Sequence, residues 1–309
     1  MIIDVHTHIF ESLDVFQKSW LDNFLAHKKI QLGDKGYKNW EAAFEGTVES
    51  LIKDMDEAGI DKSIVLPAYP SVGHGEELPK ISLWRCNEYG AEAQRKYPER
   101  IIGFVRIDPL RKDAIELLIK AVTEWGMKGV KLHPTIPLTD GAIQPLLNKI
   151  NEMEIPVIVH MGVDPIPFLA EHGNPIFLDT LTVRFPKIKI IAAHHARGFE
   201  ELLTAIILNR GGRIYSDLAF WQHEYAFSPW RFIMKMRYFM DRIPRFILMG
   251  SDWPFTKTKP PLSHKEWFDV IRNLKIPEQV LQLGLGIKDF SQEEKDRILG
   301  ENARSLFSI

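Results

Sequence analysis

A short run of apolar and β-branched residues followed by an amphipathic helical period recurs eight times, and this repeat constrains the fold more than any other feature. The strand-like runs are Ile2–Val5, Lys62–Leu66, Ile101–Ile107, Gly129–Leu132, Pro156–Val159, Ile188–Ala192, Arg213–Ser216 and Phe246–Met249. Several are apolar on consecutive rather than alternate residues, as parallel strands covered on both faces require. The helical periods cover Thr47–Ala58, Leu83–Lys96, Asp113–Trp125, Gly141–Met153, Leu178–Arg184, Phe199–Leu208, Trp230–Met240 and a C-terminal group ending in Ile298–Leu306. Gly59, Pro98, Gly126 and Pro186 punctuate the boundaries. Eight strand–helix units predict an α/β fold, a single (β/α)8 TIM barrel occupying residues 1–309 as one domain. The competing doubly wound sheet lacks its Gly-rich fingerprint after the first strand.

Composition then narrows the function classes. A hydrophobic fraction of 45% supplies a buried core and excludes a disordered, collagen-like or coiled-coil chain. Lys and Arg number 39 against 41 Asp and Glu, a formal charge of −2, so neither a nucleic-acid footprint nor a polybasic membrane surface is expected. No apolar run approaches the roughly 18 residues that span a bilayer. The lone Cys86 fits a reducing compartment, and the first ten residues lack a basic, signal-like start. The expectation is a cytoplasmic protein acting on a small molecule, and a homo-oligomer is compatible with it.

In such a barrel the carboxyl ends of the strands share one mouth, where chemistry collects. The first run ends Asp4-Val-His6-Thr-His8. Strand side chains alternate, so His6 and His8 share a face and can grip a divalent metal such as zinc. The fifth run ends in His160, the sixth in His194 and His195, and the eighth in Asp252. Taken singly, each is as readily a satisfied core or capping residue. Together, at the ends of strands 1, 5, 6 and 8, they converge over one mouth.

Joined to Gly126-Met-Lys-Gly-Val-Lys-Leu-His-Pro134, Gly250-Ser-Asp-Trp-Pro254 and the tail Gly300-Glu-Asn-Ala-Arg-Ser-Leu-Phe307, these residues make the chain resemble the amidohydrolase superfamily. The resemblance runs over essentially the whole chain and is to the amidohydrolase-related branch of lactonases and aromatic-acid decarboxylases. It implies His6, His8, His160 and Asp252 as metal ligands, Asp252 also as a proton shuttle, and His194 as the group that polarises substrate or transfers a proton. The family often reads Ala-His-x-Gly-Gly where this chain has Ala193-His-His-Ala-Arg-Gly198. A register change of one would turn His195 inward, although His194 is the preferred match. Binuclear superfamily members carry a carboxylated lysine at the position of Lys131. For this branch one ion rather than two is expected, zinc before manganese, with Lys131, His133 and Arg106 as substrate-binding residues.

The implied activity is hydrolysis of a small, carboxylate-bearing amide, ester or lactone by water whose pKa a metal lowers from ~15.7 toward about 7. In that expectation Asp252 takes the water proton and His194 polarises the scissile carbonyl. Metal-dependent decarboxylation of a small unsaturated or aromatic acid is the alternative, and a non-catalytic metal-binding barrel the third reading. His223, after strand 7, is a further candidate substrate contact, and Asp217 a group that orients a neighbouring histidine. His27, His74, His172 and His264 read as solvated, Trp221, Trp253 and Phe255 as wall or core, and Cys86 as buried. Insertions after strand ends are expected over Phe10–Glu45, Tyr69–Lys80 and Trp253–Phe290.

Overall fold

The structure, a computed structural model, describes residues 1–27, 29–30, 45–69, 78–164, 168–256 and 262–309. Its strands are β1 (Ile3–Ile9), β2 (Lys62–Pro67), β3 (Ile101–Ile107), β4 (Gly129–Leu132), β5 (Val157–Val159), β6 (Ile190–Ala192), β7 (Ile214–Asp217) and β8 (Ile247–Leu248). Every neighbouring pair is parallel and the order runs from β1 to β8. The sheet curls until β1 meets the chain leaving β8. There the Val5 N–H donates to the Met249 carbonyl at 2.9 Å, the Asp252 N–H donates to the His6 carbonyl at 2.8 Å, and Thr7 pairs with Trp253. The repeat read from the sequence is therefore a (β/α)8 barrel.

Helices α1 (Val48–Ala58), α2 (Leu83–Lys96), α3 (Ala114–Thr123), α4 (Gln144–Met153), α5 (Ile176–Arg184), α6 (Glu200–Asn209), α7 (Pro229–Arg242) and α8 (His264–Arg272) cover the outside. The first illustrates the local logic. The Thr47 hydroxyl accepts from the Ser50 N–H at its start, and Gly59, at φ 65°, supplies the left-handed residue that ends it. Between these caps Val48, Leu51, Met55 and Ala58 recur at helical spacing and are buried.

Two apolar layers result. Inside the barrel lie Ile3, Val5, Ile64, Leu66, Phe104, Ile158, Ile191 and Leu248, and a larger layer including Leu51, Val105, Leu147 and Trp267 joins strands to helices. Phe104 sits so close to β4 that a side chain at Gly129 would overlap its ring. A filled interior leaves polar chemistry to the strand ends.

The eighth helix is not the C-terminal group. It is α8, inside the stretch expected to be a rim insertion, where Ser263 and Glu266 form a capping box and Trp267, Phe268 and Ile271 bury an apolar face. The C-terminal segment instead closes the opposite end. Ile298 accepts from the Met249 N–H at 3.0 Å, Gly300 packs on the Met1 carbonyl, and Ala303 and Leu306 join the inner layer. Of the expected insertion over 10–45, residues 13–15 form a 3-10 turn and 18–27 a helix. Lys28, residues 31–44, residues 70–77 of the loop after β2, and residues 257–261 lie outside the described residues. No helix among the described residues is long and apolar enough to cross a membrane.

Candidate active site

His6 and His8 leave β1 on the same side, and Asp252, held at φ 62°, reaches them from the chain after β8. Their donor atoms form a triangle. His6 Nε2 lies 3.2 Å from His8 Nε2 and 3.4 Å from Asp252 Oδ1, and His8 Nε2 lies 3.2 Å from the same oxygen. The other ring nitrogens fix the tautomers. His8 Nδ1 is 3.2 Å from the Leu66 carbonyl, which only accepts, so Nδ1 donates and Nε2 keeps its lone pair. His6 Nδ1 is 2.9 Å from Asp217 Oδ2, which gives the same assignment. Burial, and after it Lys131, pulls His6 well below the usual imidazole range, so the ring is neutral. Burial would raise Asp252, but the imidazoles of His8, His194 and His6 around it hold its carboxyl well below the usual range.

Two lone pairs and an ionised oxygen thus converge on one point and repel one another unless a cation lies between them. Donors bonded to a four-coordinate ion at about 2.0–2.1 Å sit about 3.3 Å apart, the spacing of this triangle. Donation of each remote N–H to a carboxylate or a carbonyl is the arrangement metal-binding histidines use. The residues fit a divalent metal. Asp4 ties the platform together, its Oδ1 accepting from the His6 N–H at 3.1 Å and the Ser251 N–H at 3.0 Å. Its Oδ2 lies 2.9 Å from His264 Nε2. His264, expected to be solvated, is 5% exposed because the first turn of α8 packs it onto this carboxylate.

At the end of β6 the chain takes three successive left-handed residues without glycine: His194, His195 and Ala196 have φ of 59°, 46° and 45°. The bend turns adjacent imidazoles opposite ways. His195 enters the core between Ser216 Oγ at 2.7 Å and Thr204 Oγ1 at 3.2 Å. His194 lines the cavity, with Nε2 3.1 Å from His160 Nδ1 and Nδ1 3.0 Å from the Ala219 carbonyl. That carbonyl makes Nδ1 the donor and leaves the lone pair on Nε2. Burial, then His160, holds His194 down to about 4, so it faces the cavity as a neutral proton acceptor. Polarising a carbonyl would need an N–H on the cavity side, which this tautomer does not supply. Asp217 braces this bend as well as the His6 ring, its Oδ1 accepting from the His194 backbone N–H at 2.9 Å and the Ala219 N–H at 3.0 Å.

His160 stands beside the triangle rather than in it. Its Nδ1 meets His194, and its Nε2 is 2.7 Å from Asp164 Oδ2 without hydrogen-bond alignment. Asp164 also lies 3.3 Å from His133 Nε2, so His133, His160 and Asp164 make a second group of close donor atoms. Asp164 follows β5 in a loop, and only its spacing of four from His160 could have signalled it. Lys131 Nζ lies 3.2 Å from His6 Nε2, and burial, then Arg106, lowers it to about 7. Burial takes Arg106 down to about 10.

Lys131, His133 and Arg106 all line the cavity, as does Arg197, which sequence reasoning missed. The Arg197 guanidinium lies 4.6 Å over the Phe220 ring. His223 is not among the lining residues, and its ring packs on Phe220 at 4.4 Å. Trp221 and Trp253 are core, their indoles donating to the His194 carbonyl and to Asp54 Oδ2, each at 2.7 Å. Phe255 belongs to the wall. Burial pushes the Cys86 thiol up to about 12, so it is inert. His27, expected in solvent, lines the cavity; His172 is half-buried, 3.4 Å from Glu171; His74 lies outside the described residues.

A wall of aromatic rings flanks this polar end. Phe16, Trp20 and Phe24 line the cavity at four-residue spacing and stack on one another, with centroids 4.8 and 4.9 Å apart and planes 12° and 9° apart. Phe255 joins them to the His6–His8–Asp252 triangle, 5.1 Å from His8 and 5.6 Å from Phe24.

A family profile described as Amidohydrolase matches residues 3–309. Comparison with curated proteins finds no significant match. Among solved structures the chain is similar to an uncharacterised TIM-barrel protein from Bordetella bronchiseptica, at 19% identity over 99% of this chain and 98% of that one, with a TM-score of 0.68. A probable 2-pyrone-4,6-dicarboxylic acid hydrolase from Acinetobacter baumannii, with citric acid bound, is 17% identical over 100% and 99%, with a TM-score of 0.63. A dihydroxybenzoic acid decarboxylase from Polaromonas, with manganese and 2-nitroresorcinol bound, is 18% identical over 99% and 96%, with a TM-score of 0.65. At these identities the structural likeness establishes the fold.

Proposed function

Because this chain belongs to the amidohydrolase family, we propose that it is a metal-dependent enzyme that hydrolyses a small, carboxylate-bearing amide, ester or lactone. One observation carries the reading: a lone-pair triangle of His6, His8 and Asp252 opens, through His8 and Asp252, onto the cavity that a neutral proton acceptor, His194, also lines. His6, His8 and Asp252 would hold the ion and leave a fourth position open, with His160 beside them. Zinc is the ion on this reading, although the same donors accept manganese. When bound, it supplies a Lewis acid that lowers the pKa of water and polarises an oxygen.

The chain's own residues do the rest. Arg106 and Lys131 bind the substrate carboxylate, whose charge favours the protonated lysine. His194 Nε2 takes a proton from the attacking water as its oxygen bonds to the acyl carbon. As the bond from that carbon to the leaving nitrogen or oxygen breaks, His194 returns the proton to the leaving group. The Ala219 carbonyl keeps the ring in the tautomer this needs, and Asp217 holds the backbone that carries it. Asp252 stays ionised throughout.

Decarboxylation is the second reading, and Phe255 beside His8 favours it because a ring carrying the carboxylate would pack against it at the polar end of the cavity. In that case the bond from ring carbon to carboxylate breaks, carbon dioxide leaves, and a proton is delivered to the carbon. Turnover of the metal-loaded protein, screened against lactones, amides and aromatic carboxylic acids, separates the two. Acid release without carbon dioxide supports hydrolysis, and carbon dioxide without net hydrolysis overturns it in favour of the lyase. On any substrate found, His194→Gln should lower kcat by about 10²- to 10⁴-fold with metal content unchanged. Full turnover in that variant would remove His194 from the mechanism.

A further inference from the structure

We infer that the helix over residues 18–27 sets substrate length: Trp20 and Phe24 select compounds whose flat apolar body reaches a second ring beyond the reacting end. The inference rests on the proposed function for one point only, that the anionic end of the substrate lies toward Arg106 and Lys131.

The cavity can be measured outward from its polar end in rings. His8 touches Phe255 at 5.1 Å, Phe255 touches Phe24 at 5.6 Å, and Phe24 stacks on Trp20 at 4.9 Å. A one-ring acid held at the basic end meets His8 and Phe255. A body that also meets Phe24 and Trp20 must extend by about one more ring diameter, the ~5 Å at which aromatic centroids pack. Trp20 and Phe24 lie one helical turn apart on one face, and Phe16, on extended backbone just before the helix, continues the row; at these distances the near-parallel rings stack face to face and offer the cavity a continuous row of aromatic edges. Trp20 and Phe24 are only half-buried, although both line the cavity. Phe168, 3.9 Å from His133, and Phe220, beneath Arg197, line other parts of the same cavity. An aromatic strip of this length exceeds what a small acid such as benzoate can cover, whereas a two-ring acid covers it.

Calorimetric titration of the metal-loaded, full-length protein with benzoate and with biphenyl-4-carboxylate tests this. The wild type should bind the two-ring acid about tenfold more tightly. Trp20→Ala and Phe24→Ala should each shrink that preference to about threefold or less while leaving the benzoate Kd within about twofold. Trp20→Leu, which keeps apolar volume without the flat face, should behave like Trp20→Ala, with an unchanged urea midpoint verifying its fold. Equal affinity for the two acids in the wild type, or an undiminished preference in all three variants, overturns the inference. The two readings fail separately. An intact, Trp20-dependent preference in protein that binds no metal and turns over nothing supports the length selection and overturns the proposed function. Metal binding with turnover but without the preference does the reverse.

Discussion

The role of an imidazole depends on which of its nitrogens is already engaged. In His6, His8 and His194 the Nδ1 is taken by Asp217, Leu66 and Ala219, which leaves the Nε2 lone pairs of His6 and His8 on the triangle with Asp252 and that of His194 beside His160. His195 has the opposite fate, with both nitrogens engaged in the core and burial holding it down to about 3. That value sets a pH dependence. The unfolded chain protonates His195 near the ordinary value of about 6.5, which the folded chain refuses, so stability is full above that pH and falls as the pH drops toward 3. His195→Gln keeps polar groups for Ser216 and Thr204 but cannot titrate. Urea unfolding between pH 6 and 4 should then show a decline shallower by about 1.4 kcal/mol per pH unit, one proton's worth. Identical slopes would mean that His195 is not neutral in the fold. Strand-end position made His6, His8, His194 and Asp252 legible in the sequence. It could not say which of His194 and His195 faces inward, because the left-handed bend is made without the glycines that would announce it. Nor could it find Asp164, on a loop, or the burial of His264, which depends on where a distant helix lands.

Secondary-structure elements were legible where burial on both faces left consecutive apolar residues, as in Ile190–Ala192 and Phe246–Met249. The eighth helix was not, since Ile298–Leu306 has the same periodicity as α8 and only tertiary packing assigns one to the wall and the other to the end of the barrel. Helix ends carry a second lesson. Gly59 ends α1 in the left-handed region at no steric cost, whereas α4 ends at Glu154 with φ 56°. Relieving that conformation with Glu154→Gly should stabilise the protein by about 1 kcal/mol. The ion pair lost with Lys187 joins side chains that are each more than half exposed, so it offsets little. A thermal scan should find Tm raised by about 1–2 °C, and a lowered Tm would refute the strain argument.

At the scale of the whole molecule, the His6–His8–Asp252 triangle couples ligand binding to stability. An ion held by the folded chain alone adds about 2.7 kcal/mol at a hundredfold excess over its Kd. Chelator should therefore lower Tm, zinc or manganese should restore it, and His8→Ala should abolish the metal-dependent part of the shift. A metal-induced rise in Tm that survives in His8→Ala would place the ion elsewhere. The triangle also has a consequence in time. Its histidines lie on the first strand and its aspartate just past the last, joined where the Asp252 N–H meets the His6 carbonyl. A chain growing from its amino end carries half of the proposed metal site through the synthesis of seven strands and gains the other half only when the ring shuts. Metal capture is then a receipt for completed closure, and a partly made barrel has nothing with which to hold the ion tightly.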